Sequence, residues 1–251
     1  MLAGLLEVAP AGFEQVDGDG WVEFALYGAP GELPEFPHGP AKVAGVRVSV
    51  SGTEVADDWA ERWREFHQPL LVGGRVWVRP PWTKPHADAL DLVIDPARAF
   101  GTGAHPTTRL SLELLLDVAP RGPLTDVGCG SGVLAIAAAK LGFKPVFALD
   151  NDPAAMEATR TNAHRNGVEL TRVERLDLRR YPLPPAPTVT ANLVRPLLLE
   201  LGRRMPESPE TLIVSGLLEG EEDEAAAAFE QMLERRRLRL QGWSALLLTR
   251  A

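Results

Sequence analysis

The stretch from Leu124 to Gly132, LTDVGCGSG, constrains this chain more than any other. A short apolar run, Leu124 to Val127, ends in a glycine-rich turn, and an alanine- and leucine-rich stretch, Val133 to Leu141, follows at once. Strand, turn and helix start in that order make a cradle. Glycines let the backbone approach a ligand closely, and the first turn of a helix offers N–H groups with no partner of their own. The same layout also occurs with no ligand, so the turn needs a second residue to point at chemistry. Asp150 supplies it by ending the next apolar run, Val146 to Leu149. An acidic residue at the end of the second strand is where a ribose hydroxyl pair is held.

Two cofactor classes share this plan. Dinucleotide enzymes read G-x-G-x-x-G, whereas Gly128, Gly130 and Gly132 give G-x-G-x-G, with Asp126 two residues before the first glycine. That pattern resembles the S-adenosylmethionine site of Rossmann-like methyltransferases. Their cofactor has no pyrophosphate and needs a tight turn against its amino-acid moiety. The spacing favours this class without closing the other.

Length and composition set the frame. The chain has 251 residues, 45% hydrophobic and 24% charged, which suits a soluble protein with one large domain and one small one. No run reaches the roughly 18 apolar residues of a membrane span, and the first residues lack the basic start and apolar core of a signal peptide. A single cysteine, Cys129, leaves no internal disulfide framework and suits a reducing compartment, so the expected location is the cytoplasm. Charge is uneven: residues 1–57 hold nine acidic side chains against Lys42 and Arg47, whereas the whole chain is only −8. Phosphates would be repelled by such a segment, so direct nucleic-acid binding is not expected. A basic protein surface fits it, and so does plain solubility.

Residues 1–56 read as a small α+β domain, with strands at Trp21–Tyr27 and Val43–Val50. Between them GAPGELPEFPHGP, with four prolines, is too irregular for either element. Residues 57–68 read as a helical linker: Asp57 and Asp58 offer an N-cap, and Trp59, Trp63 and Phe66 share one face. The catalytic-type domain spans 69–251, of which 69–95 connects, with a turn and short strand in Leu71–Trp82 and a strand at Leu90–Ile94. The loop FGTGAHPTT, Phe100–Thr108, then leads into a helix that starts at Pro106 and carries Leu110, Leu112, Leu114 and Leu115. Rich in glycine and hydroxyls and just ahead of the cofactor strand, it is placed to cover a ligand. His105 within it reads either as a base or as a structural contact.

From Leu124 onward strands and helices alternate. Strands are expected at 124–127, 146–150, 172–174, 188–192 and 212–215, and helices at 133–141, 153–166 (capped by Asp152), 196–205 and 221–237. The tail, 238–241 and 244–249 around Gly242 and Trp243, predicts a closing antiparallel hairpin. Asp177, after the third strand, reads equally as an adenine neighbour or a solvated loop residue. Asn192 ends the fourth strand, where ligands of open α/β sheets gather, and the backbone carbonyls of the loop after it can face the cleft. No metal site is expected.

FGTGAHPTT, DVGCGSG, the ALDND segment around Asp150, ANLVRPL and SGLL at Ser215–Leu218 occur in one order, after DDWAERWREFHQPLLVGGRVWVRPPW. Together they resemble the ribosomal protein L11 methyltransferase (PrmA) family over roughly residues 57–220, and less so over 1–56. The resemblance implies a Rossmann-like, seven-stranded S-adenosylmethionine-dependent methyltransferase domain. It also implies methylation of the N-terminal α-amine and lysine ε-amines of L11, usually to the trimethyl state, with the front domain recognising a free substrate. The expected cofactor residues are Thr107, Gly128, Gly130, Asp150 and Asn192, with Phe100 and His105 as added neighbours. Asn192 and the Leu193 carbonyl are the candidates to hold the amine. Nothing calls for an oligomer, so a monomer is expected. The rivals are an amide or adenine-amine methyltransferase, which would carry N-P-P-aromatic where this chain has Asn192-Leu193-Val194-Arg195, and a non-catalytic binding module.

Overall fold

The computed structural model describes residues 14–18, 21–25, 39–43, 46–52, 68–96, 105–205 and 207–251. The chain divides into two compact units, Met1–Ala60 and Glu61–Ala251. The expected linker helix, with Trp59, Trp63 and Phe66, lies outside the described residues, as does the bulk of the proline-rich loop.

The first unit contains two hairpins. β1 (Glu14–Gly18) pairs antiparallel with β2 (Trp21–Ala25), and β3 (Gly39–Val43) with β4 (Val46–Val50). The sequence reads Val43–Val50 as one strand; instead Val43 faces Val46 across a two-residue connection, Ala44-Gly45. Short glycine-containing links of this kind favour reversal over extension. Gly39 and Pro40, which read as loop, open β3. In β4 the alternation holds: Arg47 and Ser49 are exposed, Val48 and Val50 half-buried.

The second unit begins with a small sheet in which β5 (Leu70–Val72) is antiparallel and β7 (Leu90–Val93) parallel to the central β6 (Val76–Arg79). β5 replaces part of the expected turn. Arg79 grips Asp91 through two bonds of 2.6 and 2.8 Å, fixing β6 to β7 with a bidentate pair.

Seven strands then form the main sheet: β8 (Leu124–Val127), β9 (Val146–Asp150), β10 (Arg172–Arg175), β11 (Thr188–Asn192), β12 (Thr211–Leu218), β13 (Met232–Leu240) and β14 (Trp243–Arg250). Their spatial order is β10-β9-β8-β11-β12-β14-β13, with β14 alone antiparallel to both neighbours. The order reverses between β8 and β11, so their carboxyl ends open a crevice there. α1 (Pro106–Leu115) precedes the sheet; α2 (Val133–Leu141), α3 (Pro153–Arg165), α4 (Arg195–Arg204) and α5 (Glu222–Ala227) follow β8, β9, β11 and β12. Alternate strand residues feed two cores. Leu124, Val146, Ala148 and Ile213 pack with α1 and α2, and Val127, Val189, Leu212 and Val214 with α4 and α5.

The expected helix over 221–237 is corrected. Only Glu222–Ala227 is helical, and Met232 already starts β13. The Glu- and Ala-rich run favours helix locally, but β14 presents an open edge that eight of the nine residues of β13 pair, from Met232↔Arg250 to Leu240↔Trp243, with Arg235 left out at a bulge. That pairing, with Leu238 and Leu240 packed on the first core, overrides propensity. The other expected helices after β9 and β11 shift their ends by one residue.

Candidate active site

The turn after β8 is built by bonds to the next strand. The backbone N–H groups of Gly128 and Cys129 donate to the Leu149 carbonyl, at 2.8 and 3.0 Å. The Gly130 N–H donates to one Asp150 oxygen at 3.0 Å and the Asp152 N–H to the other at 2.9 Å. Each carboxylate oxygen thus accepts one N–H from protein and keeps lone-pair capacity for a hydroxyl donor. Asp152 in turn caps α3 by accepting from the Ala154 N–H at 2.8 Å. Turn and helix are tied together by Thr159, whose hydroxyl donates to the Gly130 carbonyl at 3.0 Å.

Beneath the turn lies Asp126, fully buried. Its two oxygens accept from the Thr190 hydroxyl (2.7 Å) and the Ala135 N–H (3.2 Å). Burial pushes its pKa up to about 7; the two hydrogen bonds pull it back, and the charge of Asp150 adds to the rise. Cys129 beside it is held as a thiol, because burial pushes its pKa well up. It is no nucleophile.

His105 is the N-cap of α1. Its Nδ1 lies 2.8 Å from the Thr107 hydroxyl and accepts the Thr107 N–H at 3.4 Å. The ring meets Trp243 of β14 edge-on at 4.9 Å, and burial lowers its pKa. Thr107 is buried, and its carbonyl accepts from the Ser111 hydroxyl (2.8 Å) and the Ser215 hydroxyl (3.1 Å). Phe100 lies outside the described residues.

Asn192 and Leu193 stand across the crevice from Asp150. The Asn192 side-chain amide donates toward the Thr108 hydroxyl at 3.5 Å, which turns its Oδ1 away from that partner. The Leu193 N–H donates to the Ser215 carbonyl at 3.0 Å. Two glycines flank this residue. A Cβ on Gly128 would meet the Leu193 side chain, 3.4 Å from Cγ and nearer still to Cδ2; a Cβ on Gly216 would lie 2.7 Å from the Leu193 carbonyl carbon and nearer still to its oxygen. So the glycine turn touches the acceptor loop directly. Val194 beyond it is 61% exposed, and Arg195 pairs with Glu221 at 3.2 Å and with Glu224. Asp177 pairs with Arg179 at 2.9 Å and Arg180 at 3.6 Å on the surface, and the hydrogen bond from Arg179 leads the lowering of its pKa.

The structure therefore brings Gly128, Gly130, Asp150, Asn192 and Leu193 to one crevice, and seats His105 and Thr107 at the start of α1. Sequence reasoning uses Asp126 only as part of the glycine pattern, without a role of its own, and does not single out Thr190, Thr108, Gly216 or Asn162. Asn162 donates to the Ser131 carbonyl (2.9 Å) and accepts the Asp95 N–H (3.0 Å), tying the turn to the residues that follow β7. A charged residue inside the apolar run 124–127 is the available signal for Asp126; the others depend on contacts no local spacing records. The polar groups at these strand ends, Asp150, Asn192 Oδ1 and the Leu193 carbonyl, are acceptors. They suit a ligand that donates hydrogen bonds and carries positive charge.

Comparison with known proteins agrees with this chemistry. Residues 40–251 match the family model described as Ribosomal protein L11 methyltransferase (PrmA). The chain is 42% identical over 190 residues to a ribosomal protein L11 methyltransferase of Marinobacter nauticus, covering 73% of this chain and 63% of that protein. It is 32% identical over 207 residues to one from Thermoanaerobacter pseudethanolicus, covering 80% and 67%. The matched region thus spans slightly under two thirds of the first relative's length and about two thirds of the second's. A crystal structure of ribosomal protein L11 methylase from Lactobacillus delbrueckii subsp. bulgaricus is similar at TM-score 0.65 and 26% identity, covering 73% of this chain and 99% of that one.

Proposed function

The chain belongs to the ribosomal protein L11 methyltransferase (PrmA) family, and from that premise we propose that it transfers methyl groups from S-adenosylmethionine to amines of ribosomal protein L11. The observation that carries this reading is the pairing of a carboxylate, Asp150, on one side of the crevice with Asn192 and the Leu193 carbonyl on the other. Leu193 bridges the two sides against Gly128.

The donor set fits the cofactor. Asp150 retains acceptor capacity for a ribose hydroxyl pair, Gly128 and Gly130 form the close-approach turn, and Asp126 places a second acidic group beneath it. Thr107 and His105, at the start of α1, are the further cofactor neighbours in this reading, with Phe100 retained from the sequence. S-adenosylmethionine, when bound, would supply a sulfonium methyl carbon for a neutral amine to attack, the carbon–sulfur bond breaking to release a thioether as the positive charge passes to nitrogen. The protein's task is to offer that amine unprotonated and aligned. At pH 7 deprotonating a lysine of pKa about 10.4 costs about 4.6 kcal/mol, and an α-amine near 7.8 only about 1 kcal/mol. Asn192 Oδ1 and the Leu193 carbonyl accept the amine's N–H groups and leave its lone pair free, while alignment removes much of the entropic barrier. No strong base is needed; His105 serves as the cap that holds Thr107.

The targets are the N-terminal α-amine and lysine ε-amines, carried to the trimethyl state, on L11 that is free of the ribosome. Residues 1–56 recognise the substrate through their acidic charge, 57–68 link, and 69–251 transfer the methyl group. No direct nucleic-acid contact is assigned, and the chain acts as a cytoplasmic monomer. Among the described residues no helix is long and apolar enough to cross a membrane.

The test mixes the purified chain, S-adenosylmethionine and recombinant L11 and measures intact and peptide masses. Methyl additions on the N-terminus and lysines are expected. Cofactor binding by calorimetry without any addition would sink the substrate assignment. Competition by NAD would revive the dinucleotide reading.

A further inference from the structure

Gly216 flanks Leu193 without touching a ligand, and its geometry acts on the site through that residue. Its φ is +90°, and it lies at the point where the pairing of β12 with β14 slips by one residue, between Ser215 and Leu217. The bulge presses its bare Cα against the Leu193 peptide. A Cβ there would sit 2.7 Å from the Leu193 carbonyl carbon and 3.1 Å from its nitrogen, whereas real side chains keep at least 3.0 Å from such atoms. The carbonyl belongs to a residue already pinned at its other end by the Leu193 N–H bond to Ser215. Among the described residues no hydrogen-bond donor reaches the Leu193 oxygen. A β-bulge commonly re-aims a group in this way. Here it withholds the next rung of the ladder from an oxygen beside Asn192.

We propose that Gly216 is a positioning residue for the methyl acceptor: its missing side chain sets the Leu193 carbonyl, undonated, where it accepts an N–H of the incoming amine. This rests on the reading of Asn192 and Leu193 as the amine-holding pair and adds the element that aims one of them. The chemistry gives a signature that mere loss of structure would not. A neutral primary amine has two N–H groups, a monomethyl amine one and a dimethyl amine none. Two acceptors therefore matter most for the first transfer and least for the third. Displacing the Leu193 oxygen slows early transfers selectively.

The experiment compares Gly216→Ala with Gly220→Ala. Gly220 has φ +96° with nothing within 4 Å of a Cβ, so its substitution carries the same backbone strain without the contact. Each variant is given L11 with unmodified amines and L11 reductively dimethylated beforehand, and the ratio of first-transfer to third-transfer rate is taken on the same preparation, so the folded fraction cancels. Calorimetry with S-adenosylmethionine runs alongside. Gly216→Ala is expected to lower that ratio by roughly tenfold, the loss of one hydrogen bond, with cofactor affinity within about threefold of the unmodified chain. Gly220→Ala is expected to leave the ratio unchanged. Equal ratios in Gly216→Ala and the unmodified chain would overturn the proposal. If Gly216→Ala yields no soluble protein, Leu193→Ala, which removes the side chain wedged on Gly128, carries the same test: a lowered ratio supports the proposal and an unchanged one overturns it. No transfer by the unmodified chain overturns the acceptor reading itself, and the proposal with it.

Discussion

On one side of the crevice, β10-β9-β8, the turn is held by partners close in sequence: Gly128 and Cys129 bond to Leu149, and Gly130 to Asp150, twenty positions on. On the other side, β11-β12-β14-β13, the geometry comes from afar. Asn192 leans on Thr108, 84 positions away, and Ser215 bonds to the Thr107 carbonyl, 108 positions away. The first side makes a cradle by letting backbone reach a ligand. The second leaves acceptor atoms free by bulging a strand and pinning its neighbour. On the proposed reading, the half that would bind the cofactor is local and repeatable, while the half that would hold the acceptor is a product of the assembled sheet. The comparison yields a clean separation: changes on the β11 side should affect turnover, and changes on the β9 side should affect cofactor affinity.

The largest effect is expected from Asn192→Ala. Removing one preorganised polar group at a reacting centre costs on the order of a hundredfold in kcat. Its side chain is only partly buried at a strand end, so thermal stability should fall by no more than about 1 kcal/mol. Calorimetry should find S-adenosylmethionine affinity within a few-fold. An equal loss of affinity and turnover would erase the division between the two sides.

Asp150→Asn is the converse. The amide can still accept one of the two N–H bonds, from Gly130 or Asp152, but loses the charge-assisted grip on a hydroxyl pair. Affinity should fall about tenfold to a hundredfold, the range of one to two hydrogen bonds to a charged group. At saturating cofactor, kcat should recover to within several-fold, which steady-state kinetics at two cofactor concentrations would show. A kcat that stays depressed at saturation would mean that Asp150 also orients the reacting methyl.

The same contrast explains which parts of the molecule are legible in the amino-acid sequence alone. LTDVGCGSG and Asp150 are legible because a glycine spacing and a strand-end carboxylate describe a turn almost completely, and the order of strands and helices along the chain follows from alternating periodicities. The closing hairpin is legible from Gly242 and Trp243, but the full length of its first strand is not. Glu222–Ala227 and Met232–Leu240 share one helix-favouring composition, and only the open edge of β14 separates them. Gly216 is invisible as a site residue for the same reason, since its partner, Leu193, is brought to it by strand pairing. Asp126 is visible as an oddity, an acid in an apolar strand, but its role depends on Thr190 and Ala135.

That buried acid gives the smallest expected change in cofactor affinity and the most diagnostic one. The Asp126 carboxyl has a folded pKa of about 7 against an ordinary value of 3.8. The folded chain therefore holds a proton that the unfolded chain has released between these values, so the contribution to stability falls as pH rises from about 4 through about 7 and is level above. Cofactor binding should run the opposite way. A sulfonium cation near the turn favours the ionised carboxylate, so its affinity should tighten several-fold as pH rises from about 6 to about 8. Asp126→Asn removes both slopes at a cost of about 1 kcal/mol, because the Thr190 hydroxyl can turn to suit the amide while one acceptor is lost. Melting curves of the free protein and calorimetry across this window measure the two trends. A free-protein stability that rises with pH here, or an affinity whose slope survives the substitution, would place the titrating group elsewhere than beneath the turn. In that case the β8–β9 side would owe its preference for a cation to Asp150 alone.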